Sequence, residues 1–113
     1  MTSRLIVKFL SVLMSLLVAS PGFAAYNANI AGIPMRIITG ENGLVLFSLS
    51  TQPTSHPACS AVFFVIDNSL DAATINRMYA RLLAAQTTGE SINIGYDNSG
   101  SCLYGYMHAY QIG

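Results

Sequence analysis

Cys59 and Cys102 are the only two cysteines among 113 residues, and whether they join limits the folds open to so small a chain. The answer turns on the compartment. Arg4 and Lys8 flank the start of an apolar run from Phe9 to Ala19, about the length of the apolar region of a secretory signal. Pro21 then breaks a helix, while Gly22 and Ala24 place small residues at −3 and −1 of a cleavage site. The run is too short to span a bilayer, and nothing downstream reaches the ~18 apolar residues of a membrane-crossing helix. No Cys follows the cleavage point to carry a lipid. Residues 1–24 are therefore expected to be a cleaved signal peptide, and residues 25–113 one domain, periplasmic or secreted. Thiols oxidise there, so a Cys59–Cys102 disulfide is the default expectation. It would close a loop of roughly 44 residues, which the chain-entropy treatment values at about 4 kcal/mol before strain. A metal site competes, since His56 lies three before Cys59 and His108 six after Cys102. Neither spacing matches a common zinc module, so no metal or cofactor is expected.

Charge narrows the partners. Beyond residue 24 the basic side chains are Arg36, Arg77 and Arg81, with no Lys, against Glu41, Asp67, Asp71, Glu90 and Asp97. A net charge of −2 results with His neutral. Nucleic-acid binding rests on clustered Lys and Arg neutralising phosphates, and no such cluster exists.

Periodicity supplies the elements. Ala25–Asn29 is small and polar, a loose start. Ile33–Thr39 reads as a strand, with Ile33, Met35 and Ile37 on one face and Arg36 and Ile38 on the other. Glu41-Asn42-Gly43 signals a hairpin turn and Leu44–Ser50 a second strand. The Pro-containing segment Gln52–Pro57 is a loop, and Cys59–Ile66 a third, well-buried strand. Asp67 to Asp71 offers helix caps. Ile75, Met78, Tyr79 and Leu82 then recur at helical spacing, with Leu83 widening the stripe and Arg77 and Arg81 on the wetter flank. Thr87-Thr88-Gly89 ends the helix. Ser91–Asp97 alternates with Ile92, Ile94 and Tyr96 inward. Asp97-Asn98-Ser99-Gly100 turns, and Cys102–Ile112 forms the last strand. The expected fold class is mainly β with one helix, in the order β-β-β-α-β-β of an oligomer-binding (OB) fold, a five-stranded barrel. A helix packed on an open five-stranded sheet reads the same way.

Met78-Tyr79, Leu82-Leu83, Thr87-Thr88-Gly89 and Ile92-x-Ile94-x-Tyr96 carry a resemblance to the B subunits of the subtilase-cytotoxin and pertussis-like toxins. Related small exported bacterial proteins of unknown function share it. It covers about twenty contiguous residues, with a looser match at Ile37-Ile38-Thr39. The resemblance implies an OB fold, a homo-oligomeric ring of five and glycan recognition. Pro34 falls where the toxin subunits carry a serine that helps bind sialic acid, so no sugar-binding residue transfers. One sequence says nothing of a catalytic A subunit.

The last strand places Tyr104, Tyr106, His108 and Tyr110 on one face, where aromatic rings can stack on sugars. Cross-strand packing or a subunit interface explains the same row. His56, in its loop, reads as an ordinary exposed histidine, and His108 reads as a structural member of the tyrosine face, with a pH-responsive element as the alternative because an unperturbed imidazole titrates near neutrality. Asp67, Asp71 and Asp97 each adjoin a turn or helix start and read as capping residues. No nucleophile elbow, metalloprotease helix or phosphate loop occurs, so the expectation is not an enzyme. Arg77 and Arg81 offer an anionic partner their charge, or simply a solvated face. The leading expectation is an exported binding protein for glycans. The alternative is a stand-alone periplasmic or envelope structural protein without toxin activity.

Overall fold

Residues with short-range alternation form most of the sheet, and the remainder is recruited by pairing. The computed structural model describes residues 26–113; the expected signal peptide, residues 1–24, lies outside the described residues. In chain order come β1 (Ala28–Gly32), β2 (Pro34–Thr39), β3 (Val45–Leu49), β4 (Ser60–Ile66), α1 (Ala72–Thr88), β5 (Ile92–Tyr96), β6 (Cys102–Leu103) and β7 (Tyr106–Ile112). The chain is mainly β with one helix. One sheet runs β1-β5-β7-β4-β3-β2, with β6 paired to β7 off that path. The β4–β7 ladder is parallel and the others are antiparallel. The sheet is not closed by pairing: β1 and β2 stand at its two ends, separated in the chain only by Ile33.

The strand count differs from the five expected, for two reasons. β1 begins within the segment read as a loose start, Ala25–Asn29, and runs on through the unassigned residues to Gly32, in register from Ala28↔Tyr96 to Gly32↔Ile92 with Ile30 against the core. The expected last strand is broken by a turn at Tyr104-Gly105, which makes β6 and β7 a hairpin.

Inward residues form one core. Val45, Phe47, Leu49, Phe64, Ile66, Ile92, Ile94, Met107 and Ala109 from the sheet meet Leu82 and Ala85 of α1. Phe47 stacks on Phe64 at 5.4 Å between centroids, and Phe64 meets Tyr96 edge-on at 5.1 Å. Each fully buried side chain of this kind stabilises by about 1.5–3 kcal/mol relative to exposure. Two side chains depart from the faces expected of them. Met35 is 60% exposed because an irregularity between Pro34 and Arg36 shifts the register and buries Pro34 instead. Leu83 is 37% exposed, one step off the stripe of Ile75, Met78, Tyr79, Leu82 and Ala85.

The helix begins and ends where its capping residues stand. Asp71 accepts the Thr74 N–H at 3.2 Å, satisfying one of the orphan donors of the first turn. Gly89 takes the left-handed position past the last turn and donates its N–H to the Ala85 carbonyl. Between these ends α1 packs on β2 and β7.

Candidate functional site

Strand β7 lies inside the sheet, so its two faces have separate roles. Met107 and Ala109 enter the core, while Tyr106, His108 and Tyr110 stand half-buried on the opposite face. Tyr104 does not share their strand. It and Gly105 form the two-residue connection between β6 and β7, with φ of 52° and 82°. Two consecutive left-handed residues match the twist of a tight hairpin, but the first is ordinarily Asn, Asp or Gly. A bulky residue there costs about 1–2 kcal/mol, and the Tyr104 ring is still 60% exposed.

Two rows cross the outer face. In the first, Arg36 of β2 lies opposite Ser48 of β3 and reaches past that small residue to Phe63 of β4. Its guanidinium carbon lies 5.6 Å from the Phe63 ring centre, a cation–π arrangement. Phe63 in turn meets Tyr106 edge-on at 5.9 Å. In the second row the register aligns Ile38, Leu46, Val65 and His108, and Val65 is fully buried although it faces away from the core cluster. His108 then stacks on Tyr110, centroids 3.9 Å apart. Burial pushes the His108 pKa down, and the nearby Asp67 carboxylate partly opposes that shift. The Tyr110 hydroxyl shares a 2.9 Å hydrogen bond with Ser101 Oγ.

The four residues expected on one face thus divide into three environments: an exposed ring at a turn, a ring against Phe63, and a stacked His–Tyr pair. Asn68 Nδ2 joins the turn to its surroundings, donating to the Tyr104 hydroxyl at 3.4 Å and to the Asn42 carbonyl at 3.2 Å. Arg36 and Phe63 were missed as neighbours of the row. Phe63 sits in a segment that reads as uniformly buried, and nothing short-range reports that Arg36 reaches it.

The disulfide is present. Cys59 and Cys102 are joined with Cα atoms 5.6 Å apart, which consumes both thiols and removes them as metal ligands. The link holds the β6–β7 hairpin beside the start of β4, where the Ser60 N–H also donates to the Gly105 carbonyl at 2.8 Å. His56 is not the ordinary exposed residue expected. It is half-buried, and its Nδ1 accepts the Ala58 and Cys59 N–H groups at 3.1 and 2.9 Å. Its Nε2 lies 2.9 Å from the Asp97 carbonyl, so the network assigns the neutral tautomer with the proton on Nε2.

The aspartates serve turns and the helix start. Asp97 accepts from Asn27 Nδ2, the Ser99 N–H and hydroxyl, and the Gly100 N–H. Asp67 accepts the Ser69 N–H at 2.8 Å. Hydrogen bonds from Ser69, Thr74 and Ser99 hold the carboxyls of Asp67, Asp71 and Asp97, respectively, below their ordinary range. The two helix arginines do not act as a pair. Arg81 grips Glu90 through two bonds of 3.1 and 2.9 Å, whereas Arg77 is exposed and bonds only Thr74 Oγ1, at 3.1 Å, among the described residues.

Comparison of the chain with protein-family models, with curated proteins and with solved structures returns no match.

Proposed function

We propose that the protein is an exported binding module rather than an enzyme, and that it recognises a glycan on the outer face at Tyr104 and Tyr106. The observation carrying this reading is Tyr104 itself. A tyrosine in a left-handed turn position, mostly exposed, gains little packing for its conformational cost. Its ring and hydroxyl are what a sugar ring stacks on and bonds. Tyr106, Phe63 and Arg36 extend the surface with a cation-bearing aromatic patch.

The fold reading that accompanies this is an OB-type barrel with β1 and β2 as halves of one bent strand. Its support is the sheet order with a parallel β4–β7 ladder, the helix between β4 and β5, and the Ser50 N–H bonded to the Ile33 carbonyl at 2.8 Å where the halves meet. The sequence resemblance to toxin B subunits supports a ring of five. Pro34 is buried, so recognition through that position is not part of the proposal.

A second reading is favoured by the ring contacts of Tyr106, His108 and Tyr110, which satisfy those side chains internally. In that reading the row is packing, and the protein is a structural component of the envelope. A glycan array on the purified protein separates the two. Saturable binding to a sugar, lost in Tyr104→Ala/Tyr106→Ala, is the expected result; no binding, or binding unchanged in that variant, sinks it. Light scattering at high concentration tests the ring, and a monomer removes it.

A further inference from the structure

The helix passes the end of β7 without filling the space between them. Thr74, Arg77 and Met78 of α1 face Tyr110, Gln111 and Ile112 of the strand across a cavity of about 280 Å³. That lies just below the usual range for ligand clefts, ~300 Å³ upward, and suits one ring or a short chain. Met78 and Ile112 rest on the core and give an apolar floor, and Tyr110 borders the groove while its ring stacks on His108.

Arg77 makes this a site of defined charge. A guanidinium has five N–H donors, and the contact to Thr74 Oγ1 uses one of them. The only ion pair among the described residues is Arg81–Glu90, so Arg77 is not neutralised by direct contact. Its planar fork matches a carboxylate with two parallel bonds. The Thr74 hydroxyl that Arg77 meets donates in turn to Asp71 Oδ1 at 2.5 Å. A carboxylate therefore lies within electrostatic reach of the cation, and its field disfavours a doubly charged ligand more than a singly charged one.

We propose that this groove is a binding site for a small monocarboxylate with an apolar or aromatic body. The carboxylate sits on Arg77, and the body lies against Met78 and Ile112. The site goes beyond the glycan reading and shares only Tyr110 with the outer row. Its failure and that of the glycan face are distinguishable, because neither Tyr104 nor Tyr106 lines it.

The test is a titration of the isotopically labelled protein with benzoate, followed by amide chemical shifts. Saturable shifts are expected at Thr74, Arg77, Met78 and Gln111, with benzamide and phenyl phosphate each binding at least tenfold more weakly. Arg77→Gln, on an exposed side chain, should retain the dispersed spectrum and lose the preference for benzoate over benzamide. Tyr104→Ala should leave the titration unchanged. Equal binding of benzoate and benzamide, tighter binding of phenyl phosphate, unsaturable shifts, or a preference that survives Arg77→Gln would each overturn the proposal.

Discussion

The chain reverses tightly between β2 and β3 and again between β6 and β7, and the two turns solve the same problem with different residues. In the first, Gly43 alone takes a positive φ, 81°, its N–H bonds to the Gly40 carbonyl at 3.1 Å, and Asn42 Oδ1 accepts the Leu44 N–H at 3.1 Å. Every residue there suits its backbone. In the second, Gly105 has a matching φ of 82°, yet Tyr104 must also be left-handed, where Asn would sit at lower cost. The second turn also carries the disulfide and the exposed ring. Local strain and covalent support thus coincide in one turn, and a strained residue persists where the surrounding structure holds it in place.

The largest test of that contrast removes the support. Replacing both cysteines with serine should cost about 4 kcal/mol in denaturant unfolding. Hydrogen exchange should accelerate most around Leu103–Tyr106 and least around Gly40–Leu44. Uniform acceleration would show that the bond staples the whole domain and not one turn. Next, Gly43→Ala and Gly105→Ala should each destabilise by ~1–2 kcal/mol. Nothing lies within 4 Å of the added carbon at either site, so the cost is backbone alone and the two values should agree. Tyr104→Asn should do the reverse, raising stability by up to about 1 kcal/mol while weakening glycan binding. A destabilised variant would mean that the ring packs more than its exposure implies, and the contrast would fail.

The smallest effect is in pH dependence. Burial holds the folded-state pKa of His108 below its ordinary value, so the fold favours the neutral ring. Stability is then complete above about pH 6.5 and declines as pH falls through that value toward the lower folded one. His108→Phe should flatten this decline in thermal melts taken between pH 5 and 7. The carboxyls of Asp67, Asp71 and Asp97 are also held low, which adds a separate loss only below about pH 4.

What could be read from the residues alone followed the range of the forces involved. The helix caps at Asp71 and Gly89 and the alternation of Ile92 and Ile94 are local signals, and the structure places them as expected. Strand β1 has a single large apolar residue, Ile30, and its distant partner β5 makes it a strand. The turn at Tyr104-Gly105 was hidden because alternating aromatics continue through it, and a tyrosine there argues against a turn. Within the candidate site, the disulfide and the outward side chains of β7 were legible. The Arg36–Phe63 contact, the His56 network and the Arg81–Glu90 pair join residues far apart or across a loop, and no periodicity reports them.

The parallel β4–β7 ladder also dictates when this molecule can assemble. The final strand in the described sequence is wedged between two earlier ones, so β4 and β5, each already paired on its other side with β3 and β1, gain their second partner only when β7 arrives. Such distant pairing is slow to nucleate. The two halves of the sheet, β1–β5 and β4–β3–β2, therefore become one only once β7 has been made and lies between them.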